Sequence, residues 1–316
     1  MQRRNFVKST IGAAGLSLTG AAVTGESVAG NGQAQPNSLA KNTFKLKYAP
    51  HFGMFENSAG KDLIDQLKFM ADMGFTALED NGMMARDPAM QTKIGEEMAR
   101  LGMTMGVFVL EKGGNSQNTL AAGKQEYIDI FLNGCRKAVE TAKRCNTKFT
   151  TVVPGDFERN LPIGIQTGNV IDALRRGTDI LAPAGLMMVL EPLSDSPNLF
   201  LRTSDQTYEI CRAVNSPYCK ILFDIYHMQK NEGHIMPHID WCWSEIGYFQ
   251  IGDNPGRNEP TTGEINYKNI FKYVYQKQKA AGKDFIFGME HGKSQKGKEG
   301  EIALIKAYVD SDSFTV

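Results

Sequence analysis

Neither sign of charge dominates this 316-residue chain: 35 basic residues stand against 35 acidic ones. A protein that grips nucleic acid by neutralising phosphates needs a cationic surplus, so nucleic acid is not an expected partner. The five cysteines, Cys135, Cys145, Cys211, Cys219 and Cys242, are odd in number and show no Cys-x-x-Cys spacing. That pattern removes a zinc ribbon from consideration and reads as buried or partly buried free thiols. Long apolar runs are missing too. The stretch from Ser9 to about Ala22 is too short and too glycine-rich to span a bilayer. No cysteine lies near residues 29–34 to take a lipid, so no stable membrane anchor is expected. Nor does a G-x-G-x-x-G phosphate loop follow the first candidate strand, where the chain reads His51-Phe-Gly-Met-Phe-Glu56. An open, doubly wound nucleotide-binding sheet would be expected to carry one.

The N-terminus, by contrast, is strongly marked. Gln2-Arg3-Arg4-Asn5-Phe6-Val7-Lys8 sets a twin-arginine pair ahead of the Ala/Gly/Ser-rich stretch, and small residues follow. This resembles a Tat export signal, an address read by a receptor. The expectation is a signal peptide over residues 1–34, cleaved after about Ala29 or Ala34, and a periplasmic protein delivered by the Tat machinery. Without residues 1–34 the chain keeps 32 basic and 34 acidic residues. A polar linker, 35–43, leads into a single folded unit over 44–316.

Within that unit, short apolar runs alternate with longer amphipathic segments, and the 41% hydrophobic content suffices for one large core. The candidate strands are Leu46–Ala49, Ala77–Glu79, Thr104–Leu110, Phe149–Val153, Met187–Leu190, Lys220–Phe223, Gly247–Ile251 and Phe285–Gly288. Helical spacing shows between them, as in Lys61–Met73 with Leu63, Ile64, Leu67, Met70 and Ala71. Met73-Gly74, Leu101-Gly102 and Ala184-Gly185 read as helix ends, because glycine takes a left-handed cap without a Cβ clash. Eight strand–helix units of about 33 residues each predict an α/β fold, a (β/α)8 TIM barrel in one domain.

The strand ends are the informative feature. Met187-Met-Val-Leu-Glu191-Pro192, Lys220-Ile-Leu-Phe-Asp224, Tyr248-Phe-Gln250 and Phe285-Ile-Phe-Gly-Met-Glu290-His291 each run from apolar residues into a carboxylate or amide. The separations of 33, 26 and 40 residues each approximate one repeat, and in a (β/α)8 barrel the C-terminal strand ends share one mouth. Three carboxylates in one small cavity repel, and a divalent cation offsets that repulsion. Oxygen ligands suit Mg²⁺ or Mn²⁺ first, with Co²⁺ or Zn²⁺ as further candidates. Such an ion can hold adjacent oxygens of a hydroxycarbonyl while a carboxylate moves a proton between neighbouring carbons. His227 and Arg257, judged alone, would be a packing histidine and a turn residue. His51, Glu79 and Glu111 also stand at predicted strand ends, with nothing in the sequence to single them out.

Several segments together resemble the hydroxypyruvate isomerase family, within the xylose-isomerase-like sugar isomerases and epimerases. They are Glu191-Pro192, Phe223-Asp-Ile-Tyr-His227-Met-Gln229, Phe249-Gln250-Ile-Gly-Asp-Asn-Pro-Gly-Arg257-Asn-Glu-Pro260, Thr262-Gly-Glu-Ile-Asn-Tyr267 and Gly288-Met-Glu290. The specific match covers about residues 185–292; the N-terminal half agrees in strand rhythm only. The resemblance implies that Glu191 and Glu290 are both metal ligands and the proton donor/acceptor pair, with Asp224 and Gln250 completing the metal site. It further implies that His227 and Arg257 contact substrate oxygens, a guanidinium being suited to a carboxylate. Related ketose epimerases usually have a His where Gln250 stands. The family is cytoplasmic, whereas this chain carries an export signal.

The expected activity is therefore metal-dependent isomerisation of a small hydroxycarbonyl or keto acid through a cis-enediolate, as in hydroxypyruvate to tartronate semialdehyde. A sugar epimerase or keto-sugar lyase using the same site is the alternative, and a non-catalytic periplasmic sugar-binding protein a further one. An apurinic endonuclease, which shares the fold, would want a His-rich zinc site, and this chain has five histidines in all. The partner is a small sugar or keto acid, and a homo-oligomer is compatible with the sequence.

Overall fold

All eight expected strands form in the computed structural model, which describes residues 41–316. The expected signal peptide and the linker as far as residue 40 lie outside the described residues. Asn42, inside the expected linker, is already tied to the fold by backbone and side-chain bonds to the Met73 carbonyl. The strands are β1 (Lys47–Ala49), β2 (Ala77–Leu78), β3 (Thr104–Met105), β4 (Phe149–Val152), β5 (Met187–Leu190), β6 (Cys219–Asp224), β7 (Ile246–Gln250) and β8 (Ile286–Gly288).

Pairing is parallel throughout. Six strands form one sheet in the order β1-β8-β7-β6-β5-β4, and β2 pairs with β3. Single bridges close the ring: His51 with Glu79 joins β1 to β2, and Val109 with Thr151 joins β3 to β4. The result is the expected (β/α)8 barrel. β3 is shorter than its sequence suggested. Regular pairing stops at Gly106, where the backbone passes so close to the Tyr248 hydroxyl that a Cβ would not fit.

Alternation along each strand sorts the core into two shells. Ala49, Ala77, Val107, Val189, Leu222, Tyr248 and Ile286 cluster together as the filling of the barrel. Their strand neighbours Met188, Leu190, Ile221, Phe223, Phe249 and Phe287 belong to the larger cluster beneath the helices. That outer shell is completed by helix faces such as Ile128, Phe131, Leu132, Cys135, Ala138 and Ala142 of Gln125–Cys145. Such spacing turns one stripe of the helix onto the sheet, each large side chain contributing roughly 1.5–3 kcal/mol on burial. The five cysteines are buried and unpaired, as expected of free thiols. Among the described residues, no helix is long and apolar enough to cross a membrane.

Candidate active site

The same two-residue period that fills the barrel also builds its mouth. Two positions beyond Val189, Leu222 and Tyr248 come Glu191, Asp224 and Gln250, and four beyond Ile286 comes Glu290. Inward-facing apolar residues thus pass the inner face on to polar ones at the C-terminal strand ends. Register keeps them level: Asp224 is paired with Gln250, and Gln250 with Gly288.

Ligand atoms of Glu191, Asp224, His227 and Glu290 all lie within 4.8 Å of one another. Asp224 is held by helix capping. Its Oδ1 accepts from the backbone N–H groups of Tyr226 (2.7 Å) and His227 (3.3 Å), satisfying the first turn of helix Ile225–Asn231. Oδ2 is left for the site. The same turn delivers His227, whose Nε2 stands 3.5 Å from Asp224 Oδ2 and 3.9 Å from Glu191 Oε1. His227 Nδ1 lies 3.2 Å from the backbone nitrogen and 2.8 Å from the hydroxyl of Ser194, which turns Nε2 to face the carboxylates. Arg257 Nη2 also approaches Nε2, at 3.1 Å, but its hydrogens have carboxylate acceptors, Glu290 Oε2 at 2.9 Å and Asp224 Oδ2 at 3.5 Å.

Arg257 reaches the mouth from a residue in the left-handed region, φ 49°, an unusual conformation for a side chain of this size. The conformation is held by its N–H donating to the Asp253 carbonyl (2.7 Å) and its carbonyl accepting from Gly292 (2.9 Å). The guanidinium lies over the Tyr226 ring, 5.0 Å from the centroid. Asp253, another strand-end carboxylate, is not in the cluster. It accepts from the N–H groups of Asn254, Gly263 and Ile265 and shapes the loop that carries Arg257.

Electrostatics follow from this crowding. Burial, then the charges of Glu290 and Asp224, push the Glu191 carboxyl well above its ordinary pKa. Burial raises Glu290 to about 7, with Arg257 pulling the other way. Burial lowers His227 and keeps it neutral at neutral pH. Burial works against the charge of Arg257, yet Glu290, Asp224 and Glu191 hold its pKa above the usual value. Three oxygens around the site remain buried without a partner, Glu191 Oε1, Gln250 Oε1 and Asn81 Oδ1. Buried oxygens are rarely left so, and a cation bonded to those of Glu191 and Gln250 would satisfy them. The donor set therefore fits a divalent metal ion.

Of the other strand-end residues, Glu79 is buried beneath the mouth, its Oε1 accepting from Gln250 Nε2 (2.8 Å) and its Oε2 from the Tyr248 hydroxyl (3.0 Å). Burial, then the charge of Glu290, raises its pKa well above normal. His51 is turned to backbone carbonyls of Phe52 and His291. Glu111 is exposed and accepts from the Gly113 N–H. Asn81, which sequence reasoning missed, donates to Glu290 Oε1 at 2.9 Å. Its only signal was a place two residues past Glu79.

Residues 67–308 match the family model described as the xylose isomerase-like TIM barrel. The chain belongs to that family. Similar proteins include hydroxypyruvate isomerase of Escherichia coli (strain K12), 31% identical over 146 residues, or 46% of this chain and 57% of that protein. Another is 2-oxo-tetronate isomerase of Pectobacterium atrosepticum, 28% identical over 216 residues, or 66% of this chain and 79% of the relative. The chain thus spans little more than half the length of the first of these relatives. Among solved structures, 3-keto-D-glucoside 4-epimerase from Escherichia coli has a TM-score of 0.69 at 15% identity, covering 85% of this chain and 100% of that one. The IOLI protein with a bound zinc atom has a TM-score of 0.68 at 18% identity, covering 86% and 100%. At these identities the likeness is one of fold.

Proposed function

We propose that this xylose isomerase-like barrel is a metal-dependent isomerase of a small hydroxycarbonyl or keto acid, with hydroxypyruvate and 2-oxo-tetronate, named in its relatives, as the first substrates to test. The observation that carries the reading is the convergence of Glu191, Asp224, His227 and Glu290, with Gln250 paired beside Asp224 and the buried Oε1 atoms of Glu191 and Gln250 unpartnered. Glu191, Asp224, Gln250 and Glu290 would hold Mg²⁺ or Mn²⁺. The ion, when bound, polarises vicinal substrate oxygens and offsets the carboxylate repulsion.

The protein's own groups then divide the work. Glu191 and Glu290 flank the reacting carbons: one carboxylate takes the proton α to the carbonyl and it is returned at the neighbouring carbon, while the hydroxyl proton passes to the former carbonyl oxygen, so the carbonyl moves by one position. A carboxylate set beside the reacting carbons is a competent base, and once protonated a competent acid, for that transfer. His227 Nε2–H donates to a substrate oxygen. Arg257, always charged, binds a substrate carboxylate in a fork geometry that lysine lacks. Barrel filling below and the loop around Asp253 keep these groups in place.

Solvent deuterium uptake at the substrate α-carbon, followed by NMR with Mn²⁺-loaded protein, tests the reading whatever the product. Glu191→Gln and Glu290→Gln should each abolish uptake. Uptake retained by either variant removes that residue from proton transfer, and full activity with metal demonstrably absent sinks the metal mechanism. Product analysis separates carbonyl migration from epimerisation or cleavage. We also propose that the protein is exported by the Tat route, supported by Arg3-Arg4 and the apolar stretch behind them. Replacing both arginines by lysine should hold it inside the cell, and unchanged export would refute the assignment.

A further inference from the structure

Glutamine is an awkward metal ligand, because only one end of its amide can ligate. Oε1 offers lone pairs, whereas Nε2 offers two hydrogens, and the two ends have nearly the same shape. The torsion that exchanges them is broad and roughly two-fold, so side-chain geometry does not choose. At this site the surroundings favour the wrong end. Glu191, Asp224 and Glu290 are all acceptors when ionised, and they attract N–H groups.

We propose that Glu79 is the positioning residue that turns Gln250, so that its amide oxygen and not its nitrogen faces the cation site. This rests on the metal reading given above. Gln250 Nε2 donates to Glu79 Oε1 at 2.8 Å, and Gln250 Oε1 is left buried with no partner. Glu79 cannot rotate away, since the Tyr248 hydroxyl holds its Oε2 at 3.0 Å. The contact crosses the barrel. Glu79 follows β2 and Gln250 ends β7, and β1 and β8 lie between them in the ring, so only a side chain passing through the interior joins them. Gly288 makes that passage. A Cβ there would overlap Glu79 Oε2 and come within 3.0 Å of Gln250 Cγ.

The test separates an orienting role from the mere presence of a negative charge, by Mn²⁺ binding followed through the electron paramagnetic resonance of the free ion. Glu79→Gln removes the charge but keeps an oxygen for Gln250 Nε2, its own amide nitrogen turning to Tyr248. It should bind Mn²⁺ within about threefold of wild type. Glu79→Met removes the acceptor altogether and should weaken binding roughly 10–100-fold, the usual cost of losing a group that orients a ligand. Adding Gln250→Glu to Glu79→Met should restore binding, because a carboxylate presents an oxygen whichever way it turns. Equal losses in the Gln and Met variants would mean that charge alone matters and would overturn the inference. So would a Met variant that binds like wild type. Should Glu79→Met not fold, the same comparison made in a Tyr248→Phe background, where no hydroxyl is orphaned, decides it. A wild type that binds no Mn²⁺ fails the metal reading itself, and this inference with it; a wild type that binds, beside a Met variant that binds as well, fails this inference only.

Discussion

In a chelating buffer the protein should lose stability as pH rises, and Glu290 allows the size of that loss to be worked out. Its carboxyl is held at about 7 in the folded chain, against an ordinary 4.5. A group with a raised folded-state pKa binds its proton more tightly when folded. The stabilisation is therefore complete below about 4.5 and is lost as pH climbs through about 7. Each pKa unit corresponds to about 1.4 kcal/mol, so the span is worth roughly 3 kcal/mol. The side chain is 27% exposed, and solvent screening brings the expectation down to about 2 kcal/mol. For a chain of this length that is roughly 3 °C in Tm. Thermal melts in EDTA between pH 4.5 and 8 should show wild type falling faster with pH than Glu290→Gln, by about that margin. On the proposed metal reading, Mn²⁺ would compete with the proton for the same oxygens and should raise the wild-type Tm more at pH 8 than at pH 5. Parallel melting curves for wild type and Glu290→Gln in EDTA would refute the argument, since no carboxyl at this position would then be strained by burial.

Three further outcomes follow from the geometry. Gly288→Ala places a methyl group against Glu79 and Gln250, and overpacking of that kind should cost about 1–3 kcal/mol and weaken Mn²⁺ binding; denaturant melts and metal titration read both. Arg257→Lys keeps the charge among Glu290 and Asp224 but loses the fork, so KM for an acid substrate should rise at least about tenfold with little change in Tm. A Tm loss with unchanged KM would make Arg257 a structural counter-ion only. His227→Phe should lower kcat/KM by roughly 10–100-fold, the range of about 1.5–3 kcal/mol for a lost hydrogen bond to a charged group; unchanged kinetics would remove the Nε2 donor from substrate binding.

Much of the site was legible because its determinants are local. Val189, Leu222 and Tyr248 put Glu191, Asp224 and Gln250 on the inner face by alternation alone, and the carboxylate after each apolar run is visible in the chain. The position of His227 three residues after Asp224 follows from a helix that starts on its cap. Other features depend on what lies across the ring. Nothing beside Glu79 in sequence distinguishes it from Glu111, yet one reaches through the barrel to Gln250 and the other bonds the Gly113 N–H at the surface. Asn81 meets Glu290 over 209 positions of chain, a pairing no periodicity contains.

By itself, then, the sequence determined the repeat, the inner and outer faces of each strand, and the residue types delivered to the mouth, because period-two alternation and strand length are properties of short segments. Tertiary structure alone decided which of those residues meet. Closure of the ring through the His51–Glu79 and Val109–Thr151 bridges set the distance across the lumen, and that distance brought Glu79 under Gln250. The left-handed backbone at Arg257 set where its guanidinium points. Both are consequences of the whole chain folding around a common interior, where a side chain's neighbours are fixed by the curvature of the sheet and not by their separation along the chain.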